Sequence, residues 1–284
     1  MKLVKVLSLV MAFTFAGTAL FAEGKAEDPS PIKGSAAVEI AGAEITKVSP
    51  LNVLPGTLVS IEGVGFGEKA GAIKIGATEI TEFLSWEDTC IFFRIPKSGI
   101  SSASEIRVGN AYAEDTLKPA PAGSLTVMWS IDLAALDKVV TAEWKTVYNA
   151  PAKPVFTAPM YVKGEWVKNS ENYGSASSSW DGGSKVRMLK DKSGSKWYAE
   201  AVFTPDNIAS FGVKAMKFAF EDGNNDERDL VPYESNISFI LKKDWAKTDF
   251  FTTVNSDPAL SPSTKDKLYN KDTNTIYASY PVKK

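Results

Sequence analysis

The chain has 284 residues, 32 basic and 34 acidic side chains, a net charge of -2 and no histidine. That balance excludes a dedicated nucleic-acid binder, which needs a basic face against phosphate. Lack of histidine excludes Ser-His-Asp and Cys-His nucleophilic sites and the common zinc sets, while paired carboxylates, as in glycoside hydrolysis, are not excluded by it.

The opening "MKLVKVLSLVMAFTFAGTALFAEG" reads as a secretory signal over residues 1–22. Lys2 and Lys5 charge its start, Val6 to Phe15 form an apolar run, and small residues place cleavage after Ala22, with Ala19 as the other position. The run is short for a bilayer span, and an uncleaved N-terminal anchor is the other reading. No later stretch is long and apolar enough to span a membrane. The signal carries no cysteine, so no lipid anchor is expected on the processed end. The expectation is an exported chain, periplasmic or at the cell surface.

Residues 23–43 are polar and small and read as a flexible leader. From Glu44 the pattern changes to short alternating runs broken by Gly and Pro. "EITKVSP", "TLVSIEG", "AIKIGATEI", "CIFFRIP", "SEIRVGN" and "SLTVMWSI" are predicted strands, and their close spacing implies a β-sandwich over residues 44–131. Leu58, Ser60 and Glu62 alternate with Val59 and Ile61, so the Val59 face is expected to pack inward. "GNAYAEDTLKPAPAG" reads as a long loop before the last of these strands. Cys90, the single cysteine, lies in a predicted strand as a buried, inert thiol and forms no internal disulfide.

Residues 132–158 are expected to link two domains. Leu133, Leu136, Val139 and Val140 approximate a short helical face, and "APAKPVFTAP" is an extended connector. Residues 159–284 repeat the strand pattern in "MYVKGEW", "KVRMLKD", "KWYAEAVF", "VKAMKFAFED", "ISFILKKDW" and "TIYASYPVK". "DKSGSKWY" is a hairpin turn around Ser193-Gly194. The fold class is therefore all-β, with two β-sandwich domains. There is no phosphate loop, Rossmann fingerprint or nucleophile elbow.

The first domain resembles IPT/TIG domains, which are immunoglobulin-like modules. The resemblance rests on Ser49-Pro50, Pro55-Gly56-Thr57, "GVGFG" from Gly63 to Gly67, "KIGA", and "SWEDTCIFFRIP" with Trp86 and Asp88. Gly63, Gly65 and Gly67 are read as supplying backbone angles closed to other residues, and Phe66 as a plug for the sandwich end. Such modules serve as spacers, interaction domains and parts of larger enzymes. The second domain more loosely resembles starch- and glycogen-binding sandwiches, through "YVKGEW", Trp180, "VRMLKDKSGSKWYAEAVF" and "KFAFEDGNND".

Independently of that likeness, Trp166, Tyr173 and Trp180 stand in an otherwise polar run. Sugar rings present C–H faces that stack on indole and phenol, and their hydroxyls need amides and charges nearby. Asn169, Asn172, Asp181 and Lys163 supply such partners, and Trp197 is a further candidate platform. The bland reading is that these tryptophans fill the core, where most tryptophan surface ends up. Of Trp197 and its neighbour Tyr198, one must face in. Asp222, Asn224 and Asp226 alternate like the start of a calcium loop, but Glu227 and Tyr233 stand where that loop needs Gly and Glu. A solvated hairpin tip is the simpler reading, and no other cofactor is expected. The sequence thus points to a non-catalytic glycan-binding protein, with a cell-envelope adhesion or protein-interaction module as the alternative. The two differ in whether Trp166 and Trp180 are exposed side by side.

Overall fold

The computed structural model describes residues 26–133, 159–164, 185–207, 212–221, 227–229, 237–241, 251–253, 269–270 and 275–280. These are almost entirely β. The first part of the chain forms β1 (Ile32–Lys33), β2 (Glu44–Ser49), β3 (Asn52–Val53), β4 (Leu58–Val64), β5 (Ile73–Ile75), β6 (Thr78–Ile80), β7 (Glu82–Phe83), β8 (Ser85–Glu87), β9 (Cys90–Arg94), β10 (Ser104–Val108) and β11 (Ala111–Pro119). They make a four-stranded sheet in the order β2-β4-β9-β8, a five-stranded sheet in the order β3-β11-β10-β5-β6, and the pair β1-β7.

Alternation decides which face of each sheet turns inward. Val59 pairs with Phe93 and Ile61 with Ile91 across β4 and β9. All four are completely buried, and they join Ile73, Ile106, Val108 and Leu117 of the opposing sheet in one core. Each such side chain contributes about 1.5–3 kcal/mol by leaving water. Phe66 plugs one end at 1% exposure, as expected. Trp86 Nε1 donates to the carbonyls of Phe66 and Gly67 at 3.3 and 3.1 Å, and Asp88 Oδ1 accepts from Gly67 N–H at 2.8 Å.

The glycines of this end act for different reasons. Gly65 and Gly67 have φ of 74° and 77°, in the left-handed region. Gly63 does not. A Cβ there would stand 2.0 Å from the Glu44 carbonyl oxygen, so its role is close strand approach and not an unusual backbone angle.

The remaining strands are β12 (Leu125–Asp132), β13 (Met160–Gly164), β14 (Lys185–Arg187), β15 (Leu189–Lys190), β16 (Lys196–Phe203), β17 (Gly212–Glu221), β18 (Glu227–Asp229), β19 (Ile237–Leu241), β20 (Phe251–Thr253), β21 (Tyr269–Asn270) and β22 (Thr275–Tyr280). They form sheets in the orders β15-β16-β12-β22-β21 and β14-β13-β17-β19-β20, with β18 paired to β17. The apolar faces of both are buried: Val127, Trp129, Ile131, Ala201 and Phe203 in one, Met160, Val162, Phe218 and Phe220 in the other, with β13 lying against β16. The turn after β15 has Gly194 at φ 77° with its N–H on the Asp191 carbonyl, as "SG" predicts. Glu221 pairs with Glu227, so β17 and β18 are antiparallel neighbours.

Three expectations change. "SLTVMWSI" does not close the first sandwich. As β12 it pairs antiparallel with β16 and parallel with β22, in the second sandwich. Alternation identifies a strand but not the sheet it joins. "AYAEDTLKP" is not a loop but β11, and the chain crosses between sandwiches at a short turn where Ser124 N–H and Oγ both bond the Pro121 carbonyl. Thus the expected boundary at 131 gives way to a crossing near 120–124, while Leu136, Val139 and Val140 lie outside the described residues.

Nor is the leader free from Ala26 onward. Ala26 is 1% exposed, β1 pairs with β7, Gly34 N–H bonds the Thr81 carbonyl, and Ile40 enters the first core. Residues 1–25, which include the expected signal, lie outside the described residues.

Candidate functional site

The face of β4 and β9 that alternation turns away from the first core carries Leu58, Ser60, Glu62, Cys90, Phe92 and Arg94. It is buried as well. The opposite face of β12 and β16, with Met128, Tyr198 and Glu200, lies over it. Ala26, Leu58, Cys90, Phe92, Met128, Leu189 and Tyr198 form one apolar cluster across the junction. The two sandwiches are therefore stacked through a shared interface.

Most polar groups at this junction are matched, although Glu62 Oε1 is buried without a hydrogen bond and has only the Lys47 ammonium, 3.9 Å away. Arg94 Nε and Nη2 donate to the two Asp28 carboxylate oxygens at 2.5 and 2.6 Å, and Nη1 donates to Glu200 Oε1 at 3.0 Å and to the Gly56 carbonyl at 2.7 Å. Glu200 Oε2 accepts from Leu58 N–H at 2.9 Å, and Tyr198 OH donates to Asp28 at 2.7 Å. Arg187 pairs with Glu87 at 3.2 Å, and the Lys47 ammonium bonds the Lys185 carbonyl. A charge in a strand that is otherwise apolar is stable only when paired. Arg94 in "CIFFR" and Glu200 in "WYAEAVF" were the signals for this cluster, but sequence spacing does not show that they meet.

Burial of Arg94 opposes its charge, yet Glu200 and Asp28 outweigh it and hold the guanidinium firmly protonated. Burial, reinforced by Asp28, pushes the Tyr198 phenol up. Burial likewise pushes up the Cys90 thiol, fully enclosed as expected. Both groups keep their protons in the folded chain after the unfolded chain has lost them, at about the ordinary values of 9.0 and 10.0. Stability is thus fully present below pH 9 and falls as pH rises beyond it, by up to about 1.4 kcal/mol per pH unit per group. Lys47 acts oppositely, since burial lowers it from 10.5 and its contribution rises with pH up to that value. Urea denaturation at pH 8, 9.5 and 11 is expected to show a decline that steepens above 10.5. Tyr198→Phe and Cys90→Ala should each flatten it.

Around the cluster lie a cleft of about 720 Å³ and a second of about 510 Å³ on the other side of the leader, both lined by Asp28, Arg94 and Lys97. Every guanidinium nitrogen of Arg94 is already engaged within the protein, and both carboxylates are engaged with it. These groups hold the junction together.

Of the residues singled out for glycan, the structure places two. Lys163 lies in β13, between Lys185 of β14 and Lys217 of β17, and is 9% exposed. Trp197 is 7% exposed on the inward face of β16, opposite Ile131, with the Lys190 ammonium 5.9 Å from its ring. Tyr198 is buried too, on the junction face, so both members of that pair are covered. Trp166, Asn169, Asn172, Tyr173, Trp180 and Asp181 lie outside the described residues, as do Asp222, Asn224 and Asp226. Lys185, the first described residue after Gly164, pairs directly with Lys163. Lys185 Nζ stands 4.1 Å from the ring centre of Tyr161. Among the described residues no cluster of three metal-ligating side chains occurs, and no helix is long and apolar enough to cross a membrane.

A stretch of 71 residues is 39% identical to the cyclomaltodextrin glucanotransferase of Bacillus sp. (strain 1011), covering 24% of this chain and 10% of that enzyme. The chain thus matches about one tenth of that relative's length. Among solved structures, a gamma-CGTase from Alkalophilic bacillus clarkii is 20% identical with a TM-score of 0.26, covering 74% of this chain and 26% of its own. SGBP-B from a complex xyloglucan utilization locus in Bacteroides uniformis is 12% identical with a TM-score of 0.23, covering 67% and 48%. The family model for the IPT/TIG domain matches residues 43–117, which run from just before β2 to within β11. Residues 43–117 of this chain are an IPT/TIG domain.

Proposed function

We propose that the chain is an exported, non-catalytic glycan-binding protein whose second sandwich contacts a glucan through the residues between β13 and β14. The observation that carries this reading is the Lys163–Lys185 pairing. In sequence, the polar run with Trp166, Tyr173 and Trp180 is what joins these two neighbouring strands. Aromatic rings among amides and charges suit a sugar, which offers an apolar ring face and a rim of hydroxyls. Stacking of a flat ring on an aromatic side chain contributes about 1–3 kcal/mol for nucleic-acid bases, and a sugar should gain a similar or smaller amount. The shared stretch with an enzyme named for cyclomaltodextrin and glucan makes α-glucan the first ligand to try.

The IPT/TIG domain then serves as a base fused to the binding sandwich, rather than a spacer on a linker. The charged, apolar and small-residue order of the first 22 residues supports export. Affinity gel electrophoresis on amylopectin and on mixed-linkage β-glucan is the test. Wild type is expected to be retarded on at least one polymer, and Trp166→Ala and Trp180→Ala each to lose most of that retardation. No retardation of the folded wild type on any glycan overturns the reading and leaves the envelope protein-interaction module as the alternative.

A further inference from the structure

The outer face of the IPT/TIG five-stranded sheet points away from the domain junction and carries a row of residues in one register. Tyr112 of β11 lies opposite Arg107 of β10, Arg107 opposite Lys74 of β5, and Lys74 opposite Glu79 of β6. With strands about 4.8 Å apart, the row spans about 14 Å. Tyr112 is 58% exposed, one of the few large hydrophobic side chains left in solvent among the described residues. Arg107 Nη1 donates to the Tyr112 hydroxyl at 3.3 Å, and its guanidinium stands 5.8 Å from the ring centre. The phenol is thereby held on the sheet with much of its ring uncovered.

Beside this row is a groove of about 340 Å³, walled by Glu39 of the leader, Asn110 of the β10–β11 turn, and Arg107, Lys74 and Glu79. Its charges balance, with two cations against two carboxylates. A polyanion gains nothing from such a surface. A neutral polyhydroxyl chain finds donors and acceptors side by side and a ring to stack on. Lys74 and Glu79 oppose each other directly but form no ion pair, which leaves their hydrogen-bonding groups available.

We propose that this face is a second saccharide-contact surface, in which Tyr112 stacks on a pyranose ring while Arg107, Lys74, Glu79 and Asn110 bond its hydroxyls. It stands on a different sandwich from the site of the proposed function and does not depend on that site. Two separate contacts on one chain would raise the apparent affinity for a long polymer well above that for a short chain.

The test compares Tyr112→Ala, Arg107→Ala and the pair Trp166→Ala/Trp180→Ala by gel retardation on amylopectin and mixed-linkage β-glucan. Thermal unfolding is run alongside to show that each variant is folded. Tyr112→Ala is expected to weaken polymer binding about fivefold to tenfold. Arg107→Ala should weaken it less. Retardation of Tyr112→Ala and Arg107→Ala equal to wild type, with loss in the tryptophan pair, overturns this proposal and leaves the second-sandwich site standing. Loss in Tyr112→Ala with none in the tryptophan pair does the reverse. A wild type that meets no glycan overturns both.

Discussion

Replacing Arg94 with methionine is expected to cost the chain about 3 kcal/mol, toward the low end for a broken buried ion pair because Arg94 itself remains 28% exposed. The loss comes from what is left behind. Of the partners named above, Glu200, 5% exposed between two sheets, keeps only Leu58 N–H, and Asp28 keeps only Tyr198. Glu200→Leu alone leaves Arg94 paired with Asp28 but strips Leu58 N–H of its acceptor, a loss of about 1–3 kcal/mol. In the double variant the Glu200 carboxylate is gone, and only Asp28 is left without Arg94, so its loss should be smaller than the sum by about 1 kcal/mol. Urea denaturation of the four proteins gives that coupling directly. Additive losses would show that the guanidinium and carboxylate act independently, against the 3.0 Å contact between them. Arg94→Met should also separate one unfolding transition into two, because this triad bridges the sandwiches.

Gly63→Ala is expected to be as damaging, at about 3–5 kcal/mol or failure to accumulate folded protein. The new methyl carbon would meet the Glu44 carbonyl oxygen at 2.0 Å and the Phe66 ring at 2.6 Å. The first of these is backbone in the paired strand β2, so relief requires pulling the strands apart. Gly67→Ala is the control. Its φ is 77°, but a Cβ there meets nothing within 4 Å. Its cost is the left-handed backbone alone, about 1–2 kcal/mol. Equal losses at the two positions would mean that backbone angle, and not strand approach, governs both.

These two sites show what the sequence made legible. The GVGFG run, Phe66 as a plug and the inward turn of Val59 and Ile61 follow from local pattern, and the structure agrees on the last two. The partner face was not legible. Leu58, Ser60 and Glu62 look like a solvated edge, because a polar alternation is identical whether it meets water or a matched polar surface. Arg94 and Glu200 are 106 positions apart and Asp28 and Tyr198 are 170 apart, so no window of sequence contains either pair. β12 was assigned to the wrong sandwich for the same reason. Its alternation fits any half-buried sheet, and only its neighbours β16 and β22 settle its place. Nor did the sequence separate two uses of glycine, since close approach and a positive φ are written with the same letter.

The route of the chain through the second sandwich has a consequence for how the molecule assembles. β12 pairs with β22 from Thr126↔Thr275 to Ile131↔Tyr280, so one of its two sheet neighbours is made from nearly the last residues of the chain. During synthesis the IPT/TIG core can condense early, from contacts within itself, while β12 waits exposed on one side. The leader, though made first, cannot fasten Asp28 to Tyr198 until most of the chain exists. Pairings of such long sequence separation carry a loop-closure cost before they return any contact energy, so they set the slow steps of folding. Without residues 275–280 the second sandwich would lose a strand from between two others, not from the edge of its sheet.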